Sequence, residues 1–399
     1  MAAHRFSHRT NWDTAETRWA RLLRERGAAG MPIFDLTASN PTRCGFEYDA
    51  EAILGALQSP AALDYDPNPK GLLTAREAVA GYYAGHNAAV DPEHIFLTTS
   101  TSEAYSYLFR LLCDPGDEVL IAQPSYPLFD FLADLDDVRL VAYPLFYDYG
   151  WHLDPAALRD RITPRTRAIV VVHPNNPTGH YTKAAERARL EVICTEFGLA
   201  LIVDEVFLDY PLGEVLEPSF ATSTQSGEHP VLTFVLSGLS KVAGLPQMKA
   251  AWIACFGPEA ALKEAMGRLE VIADTFLSMN APVQGALASW LAGGSSIQAQ
   301  IRERTSANIA ALDEVFLEGG MGTRLVVEAG WYAVLRIPAV VKDEETVFRL
   351  LNERGIAVHS GDFFGFHGAG WLVLSLLTNA TDFFNGINAI RDYLQALNE

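Results

Sequence analysis

Short apolar segments alternate with longer segments of helical character between residues 94 and 256, and this alternation constrains the fold more than any other feature of the sequence. The predicted strands comprise residues 94–98, 118–122, 139–143, 168–172, 199–203, 231–236 and 251–256. The predicted helices between them comprise residues 102–113, 126–134, 155–161 and 184–197. Segment 199–203 contains no polar residue, which is typical of a parallel strand covered on both faces. The alternation predicts an α/β fold with a mostly parallel sheet flanked by helices.

The C-terminal part of the chain has a different pattern, which predicts a smaller α+β layer. Its predicted strands comprise residues 325–328, 331–337, 357–359 and 371–376, and its predicted helices comprise residues 344–354 and 381–397. Residues 13–26 add an amphipathic helix near the start of the chain. Because 399 residues are too many for one small core, we expect two domains. We assign residues 45–290 to the large domain, and residues 1–44 and 291–399 to the small one.

Composition argues against several classes of function. A formal net charge of −19 and a pI of about 4.9 repel nucleic acids and anionic membrane surfaces, so we expect neither as a partner. No apolar run approaches the roughly 20 residues that cross a bilayer, and residues 1–11 lack the apolar segment of a secretory signal. The cysteines fit neither a disulfide pattern nor a metal-binding pattern, and they are Cys44, Cys113, Cys194 and Cys255. We therefore expect a cytoplasmic protein without a metal site.

One lysine occupies an unusual position after a predicted buried strand. Segment 231–236 leads into a turn that is rich in hydroxyl groups and glycine, and Lys241 lies within this turn. An ammonium group costs several kcal/mol to bury without a partner, so this amine is expected to be paired, neutral or covalently used. A neutral, desolvated lysine forms Schiff bases with carbonyl compounds such as pyridoxal phosphate. The alternative is a lysine at a helix start with its ammonium group in water.

Ligands of open α/β sheets bind beyond the carboxyl ends of the strands, so the residues that follow each predicted strand are candidates for a site. A run of hydroxyl side chains from Thr98 to Ser102 opens a predicted helix, where free N–H groups favour a phosphate. The alternative is a simple N-cap completed by Glu103. Tyr126 follows the next predicted strand, and its ring either stacks on a flat cofactor or lies exposed in a turn.

Amide and carboxylate groups follow two later strands. Asn175 and Asn176 lie in a turn with prolines after segment 168–172, and Asp204 directly follows segment 199–203. A carboxylate this close to the core needs a partner. The protonated nitrogen of a pyridine ring is such a partner, and the pairing lets the ring accept electrons from a substrate carbanion. The alternative is an aspartate that caps a helix or forms a salt bridge.

The order of these groups after successive strands resembles the class I and II, fold type I aminotransferases that depend on pyridoxal phosphate. The specific segments are Asn176-Pro177-Thr178-Gly179, Asp204, and Ser240-Lys241 followed by Gly244-Leu245-Pro246. The resemblance extends from Leu36 to the C-terminal helix. It implies that Lys241 holds the cofactor as a Schiff base and moves a proton, while Asp204 pairs with the ring nitrogen. Asn176 would bond the phenolic oxygen, and Tyr126 would stack on the ring.

The resemblance also implies roles for residues around the cofactor and the substrate. The cofactor's phosphate would be held by Thr101, Ser102, Ser237 or Ser240, and Lys249. Tyr65 would reach the phosphate of a neighbouring subunit, which implies a homodimer. Ser39, Asn40 and Asn176 would line the substrate pocket.

Several positions depart from the family pattern. Lys249 stands where arginine is usual, so the phosphate would meet a point charge instead of a bidentate fork. Phe207 stands where tyrosine is usual, which removes one hydrogen bond to the phenolic oxygen. Val373 stands where the family carries the arginine that clamps the substrate's carboxylate. Two other arginines are candidates for that charge, Arg43 and Arg336, with a surface or salt-bridged arginine as the alternative for each.

The sequence therefore predicts an aminotransferase that moves an amino group between an amino acid and a 2-oxo acid. The first alternative is a lyase, or other carbanion chemistry on an amino acid or an amine, because the carboxylate-binding position is Val373. The second alternative is a sensor domain that binds pyridoxal phosphate without turnover.

Overall fold

A computed structural model describes residues 6–213, 216–223, 229–277, 279–317 and 321–397 of the chain. The strands are β1 (Phe34–Asp35), β2 (Ile95–Thr98), β3 (Glu118–Gln123), β4 (Arg139–Tyr147), β5 (Trp151–Leu153), β6 (Thr166–Val172), β7 (Ala200–Asp204), β8 (Thr233–Gly238), β9 (Ala251–Phe256), β10 (Thr323–Arg324), β11 (Tyr332–Arg336), β12 (Ile356–Ala357), β13 (His359–Ser360) and β14 (Trp371–Ser375). The α-helices are α1 (Arg18–Ala28), α2 (Ala50–Gly55), α3 (Leu73–Gly85), α4 (Thr101–Leu112), α5 (Phe129–Leu135), α6 (Pro155–Arg159), α7 (Ala184–Phe197), α8 (Leu239–Val242), α9 (Glu259–Phe276), α10 (Ala281–Leu317), α11 (Asp343–Arg349) and α12 (Ala380–Ala396).

The predicted α/β fold is confirmed by an eight-stranded sheet with the order β2-β9-β8-β7-β6-β3-β4-β5. The five central strands from β8 to β4 are parallel to one another, and β2, β9 and β5 pair antiparallel at the two sides. Every residue of β7, β8 and β9 is buried. These strands are almost wholly apolar because helices cover both faces of the sheet.

The alternation of side chains along each strand builds two core layers. In β7, Leu201 and Val203 pack in a cluster with residues of α3, α7 and α10 on one face of the sheet. Ile202, between them, packs in a second cluster with residues of α4, α5 and α9 on the other face. Each fully buried aliphatic side chain of this kind stabilises the fold by about 2 kcal/mol. The sheet is therefore fixed on both sides, and its carboxyl edge is a rigid platform.

The C-terminal part forms the predicted smaller layer, a four-stranded antiparallel sheet with the order β10-β11-β14-β13. Leu335, Leu372 and Leu374 pack on residues of α11 and α12 in a separate core cluster. The short parallel pair of β1 and β12 brings the N-terminal segment to this layer. The predicted domain boundary at residue 290 lies inside the continuous helix α10, so the division into two domains stays a prediction.

Several predicted elements differ from the structure: strand 357–359 is split into β12 and β13, helix 126–134 begins only at Phe129, and two further differences have a local cause. Residues 325–328 are not a strand, because their backbone leaves the small sheet to meet the turn after β6, where the Glu328 and Ala329 amides donate to the Gly179 carbonyl. The predicted helix at 13–26 begins only at Arg18, because the Thr17 hydroxyl accepts from the Ala20 amide and caps the helix there. Among the helices that the structure describes, none has both the length and the apolar character needed to span a bilayer.

Candidate active site

The register of the central strands brings three predicted site segments to one edge of the large sheet. Val172 pairs with Asp204, and Asp204 pairs with Leu236, so β6, β7 and β8 end side by side. Asn176, Asp204 and Lys241 follow or end these three strands. The carboxyl edge of a parallel sheet is where such folds bind ligands.

Lys241 lies in the one-turn helix α8, directly after β8. Its carbonyl accepts a hydrogen bond of 2.5 Å from the Tyr210 hydroxyl, which fixes the backbone. Its Nζ lies 4.7 Å from the ring centre of Trp331 and 5.6 Å from that of Phe207. Burial lowers the pKa of Lys241 to about 8, although the charge of Asp204 opposes this. At pH 7 about one-tenth of the amine is therefore neutral, a fraction far larger than for an ordinary lysine.

Asp204 ends β7 and is only 7% exposed. Its Oδ1 accepts from the Val206 amide at 3.1 Å, and its Oδ2 accepts from the Tyr105 hydroxyl at 3.1 Å. Burial raises the pKa of Asp204 to about 6, and these two donors and Lys241 oppose the rise. The carboxyl group is therefore charged at pH 7 and keeps lone pairs that the protein does not occupy.

Asn176 and Gly179 shape the turn after β6. Asn176 is buried, and its Oδ1 has no hydrogen-bond partner among the described residues. Gly179 has a φ of +69°, and a Cβ there would lie 2.4 Å from the Ala329 carbonyl oxygen. Only glycine permits both this backbone conformation and this close approach. The turn is thereby held against the segment that enters β11.

The hydroxyl run at the start of α4 forms the capping arrangement, and its phosphate-binding role stays a prediction. Ser100 caps the helix by accepting from the Glu103 amide at 3.1 Å, and Glu103 Oε2 accepts from the Thr99 amide at 2.6 Å. Thr101 and Ser102 begin the helix, and amides in a first turn have no partner within the helix. The capping arrangement thus accompanies an open anion-binding helix start.

The remaining predicted cofactor residues occupy varied environments. Ser237 is fully buried and its Oγ has no partner among the described residues, whereas Ser240 is partly buried. Tyr126 is 40% exposed, and the charge of Asp204 contributes to raising its pKa, so the two side chains are near each other. Lys249 is exposed and forms no salt bridge within the described part of the chain. Tyr65 is 78% exposed in its loop.

The predicted substrate residues of the N-terminal segment lie in one turn. Ser39 hydrogen-bonds the Tyr332 phenol, which opposes the rise in the pKa of Tyr332 caused by burial. Asn40 caps the 3₁₀ turn Pro41–Arg43, because its Oδ1 accepts from the Thr42 amide at 3.1 Å. Arg43 is exposed and pairs with no acidic side chain that the structure describes. Its guanidinium group is free for a ligand.

Val373 and Arg336 lie in the small sheet. Val373 is 0% exposed, and it points away from its neighbours Leu372 and Leu374 into the cluster that includes Val334 and Phe364. The structure does not give Arg336 a free guanidinium group. Its Nη1 donates to the Ala369 carbonyl at 2.6 Å, and its charge lies 4.2 Å from the Trp371 ring centre. Arg336 is thus partly committed to contacts within the small sheet, and its role as a carboxylate anchor stays a prediction.

The groups at the edge of the large sheet fit pyridoxal phosphate. An amine of lowered pKa, a buried carboxylate with free lone pairs and an open helix start match the cofactor's aldehyde, ring nitrogen and phosphate. The buried, unpartnered Asn176 Oδ1 and Ser237 Oγ are polar atoms that a bound group would help to explain. The residues that would hold the cofactor are Lys241, Asp204, Asn176, Tyr126, Thr101 and Ser102.

Sequence reasoning missed three residues that touch this site, namely Tyr105, Tyr210 and Trp331. Tyr105 lies one helical turn after Thr101, so the helical period alone could have placed it on the buried side of α4. Trp331 begins the segment predicted as strand 331–337, but no local pattern indicates that its ring reaches Lys241. Tyr210 likewise gave no signal of its own.

Curated relatives of the chain are aminotransferases. The chain is 29% identical over 280 residues to the glutamate-pyruvate aminotransferase AlaA of Escherichia coli, which covers 70% of this chain and 67% of the relative. It is 28% identical over 381 residues to the alanine aminotransferase of Mycobacterium tuberculosis, covering 92% and 86%.

Solved structures show the same fold. An aminotransferase from Escherichia coli superimposes with a TM-score of 0.86 at 22% identity, covering 99% of each chain. An alanine aminotransferase from Pyrococcus furiosus gives a TM-score of 0.87 at 24% identity, covering 98% of this chain and 100% of the other. The family described as aminotransferase class I and II matches residues 45–383. The resemblance is thereby confirmed, and this chain belongs to the class I and II aminotransferases, which depend on pyridoxal phosphate.

Proposed function

We propose that Lys241 is the residue that binds pyridoxal phosphate as a Schiff base and carries the proton during transamination between an amino acid and a 2-oxo acid. The observation that carries the proposal is the position of its amine, beside the packed rings of Trp331 and Phe207 and with a pKa of about 8. A partly neutral amine is the form that attacks a carbonyl carbon and accepts a proton.

The protein's own groups divide the work. When bound, pyridoxal phosphate supplies a ring that stabilises negative charge on the substrate's α-carbon. Asp204, charged above pH 6, would hold the ring nitrogen in its protonated form. Once released from its bond to the cofactor, Lys241 Nζ would accept the proton from the substrate's α-carbon and deliver it to the cofactor's former aldehyde carbon, two bonds away. The Trp331 ring at 4.7 Å stabilises the ammonium form of Lys241 while it holds the proton.

We propose Arg43 as the group that binds the substrate's carboxylate. Val373 is uncharged and buried, and Arg336 is bonded to Ala369, so neither supplies that charge. Arg43 lies in the turn capped by Asn40, next to Ser39, which bonds Tyr332. Its guanidinium group can pair with a carboxylate in the bidentate manner typical of arginine.

We further propose that the working unit is a cytoplasmic homodimer. Tyr65 is 78% exposed in its loop, as a residue that serves a neighbouring subunit would be before assembly. All four cysteines are free, three of them buried, which suits a reducing compartment. Sedimentation of the purified protein at micromolar concentration tests the dimer directly.

A single-turnover experiment separates transamination from its alternatives. The relatives' names point to alanine, glutamate and pyruvate as the first substrates to test. With amino acid alone, a transaminase releases one equivalent of oxo acid per site and stops until an oxo acid is added. A lyase continues without an acceptor, and a sensor domain releases nothing. The comparisons with known aminotransferases do not favour these two alternatives.

A further inference from the structure

We propose that Tyr105 is a positioning residue for transamination: by donating to Asp204 Oδ2 it fixes the orientation of the carboxylate toward the cofactor's ring nitrogen. This inference rests on the proposed function, because it gives Tyr105 its role through Asp204. The contact itself is independent of that function, since the hydroxyl lies 3.1 Å from Oδ2 in the structure.

Burial makes this hydrogen bond difficult to replace. Tyr105 is 2% exposed, so water does not have free access to take the place of its hydroxyl. The Val206 amide serves the other oxygen, Oδ1. Each oxygen of the carboxylate thus has one protein donor, and the remaining lone pairs are left for the ring N–H. Removal of one donor leaves a buried charged oxygen unsatisfied.

Helix α4 ties Tyr105 to the opposite end of the cofactor site. Thr101 and Tyr105 are four residues apart on this helix, which corresponds to about 6 Å along its axis. The Tyr105 ring packs edge-to-face against Phe129 at 4.9 Å, and Phe129 packs edge-to-face against Tyr126 at 6.0 Å. One rigid helix therefore sets both the helix start that suits a phosphate and the donor to Asp204.

The pKa shifts around Asp204 support a Tyr105 hydroxyl that keeps its proton and therefore stays a hydrogen-bond donor. Burial raises the pKa of Tyr105 well above its usual range, with the charge of Asp204 adding to the rise, so the hydroxyl keeps its proton. The other titratable groups that act electrostatically with Asp204 are Lys241, Tyr126 and Tyr83. Tyr105 opposes the effect of burial and so helps Asp204 to stay charged at neutral pH.

The test compares Tyr105→Phe with the matched control Tyr143→Phe. Tyr143 is also buried and donates through its hydroxyl, but to the Val170 carbonyl at 3.0 Å. In the holoenzyme, Tyr105→Phe should lower kcat about 10-fold at pH 7 with KM changed less than about 2-fold, and should raise the acid limb of the kcat profile by about one pH unit. Tyr143→Phe should leave that limb in place.

A second readout needs no cofactor. The carboxyl band of Asp204 is followed by infrared titration of the cofactor-free protein with isotope-labelled aspartate, and Asp204→Asn assigns the band. Tyr105→Phe should move its midpoint upward from about 6, whereas Tyr143→Phe should not. An unchanged midpoint in Tyr105→Phe, or an equal shift in both variants, would overturn the proposal. Absence of transamination in the wild-type protein would reject the proposed function, while the infrared titration would still decide whether Tyr105 controls Asp204.

Discussion

The carboxyl edge of the large sheet differs from the small sheet in the charged side chains that it contains. At the large-sheet edge, Asp204 is buried and Lys241 is partly buried, and the charge of each affects the pKa of the other. In the small sheet, Val373 is a buried apolar side chain, and Arg336 donates to the Ala369 carbonyl. Burial of charged groups lowers the free energy of unfolding, and such groups cluster at functional sites because the chemistry requires them there. The difference favours the proposal that the residues that serve the reaction and the residue that binds the substrate's carboxylate lie in different parts of the fold.

The largest expected effect concerns the charged groups at the edge of the large sheet. Lys241→Ala should lower kcat at least about 10³-fold, because it removes both the covalent partner and the proton carrier. Lys249→Ala is the matched control, since Lys249 is exposed and is proposed only to neutralise phosphate. It should weaken cofactor binding and leave kcat of the loaded enzyme within about 10-fold. Steady-state kinetics with saturating pyridoxal phosphate decides, and near-wild-type activity of Lys241→Ala would contradict the assignment.

The next prediction concerns the small sheet, where an arginine at position 373 would add the charge that the resemblance to the family implies. Val373→Arg should destabilise the chain by about 3 kcal/mol or more, because the guanidinium group would enter the cluster with Val334 and Phe364 without a partner. Val373→Leu should cost about 1–3 kcal/mol by overpacking. Urea unfolding measures both variants. If Val373→Arg were as stable as the wild type and bound amino acids more tightly, position 373 would be able to hold an arginine that binds the substrate's carboxylate. That result would contradict its assignment as a packed core position.

A smaller effect compares the two candidate arginines. Arg43→Ala should raise KM for the amino acid about 30-fold, equivalent to about 2 kcal/mol, and leave cofactor occupancy intact. Arg336→Ala should lower thermal stability through loss of its bond to Ala369 and its contact with Trp371, with KM nearly unchanged. Kinetics and cofactor absorbance are measured on both variants. A KM that rises in Arg336→Ala and not in Arg43→Ala would exchange their roles.

A further prediction concerns stability without the cofactor, which should increase in a pH-dependent way when the Lys241 amine is removed. The pKa of Lys241 is about 8 in the folded chain and about 10.4 when unfolded, so below pH 8 the folded chain bears the full cost of a poorly hydrated ammonium. Between these values the unfolded chain binds more protons, and stability rises with pH. Cofactor-free Lys241→Met should therefore melt above the wild type at pH 7, with a difference that shrinks toward pH 10. Lys249→Met should show no such dependence, and an equal difference at both pH values would contradict the lowered pKa.

The sequence was informative where burial on both faces dictates composition. Strands such as β6, β7 and β9 follow from their apolar runs to within two residues, because a short apolar run bounded by polar turns favours a strand that is buried on both faces. The strand predicted at residues 325–328 was wrong because the backbone partner of this segment, Gly179, is far away in the sequence. Lys241, Asp204 and Asn176 could be predicted to lie at one edge of the sheet because each ends or follows a strand that the pattern defines.

Contacts across long sequence separations were not predictable in the same way. Tyr105 and Asp204 are separated by 99 positions, and only the packing of α4 on the sheet brings them together. Trp331 reaches Lys241 because the segment before β11 is held against Gly179 and Tyr210. The pattern of one chain specifies which face a residue occupies, but not which residue of a distant element it meets.

Reduction of the purified enzyme with borohydride in the presence of pyridoxal phosphate, followed by peptide mass spectrometry, tests the covalent role of Lys241 most directly. We expect a single modified peptide in which the reduced cofactor is attached to Lys241. Attachment to any other lysine, or a protein that stays colourless and unmodified, would contradict this role and the division of charge between the two sheets.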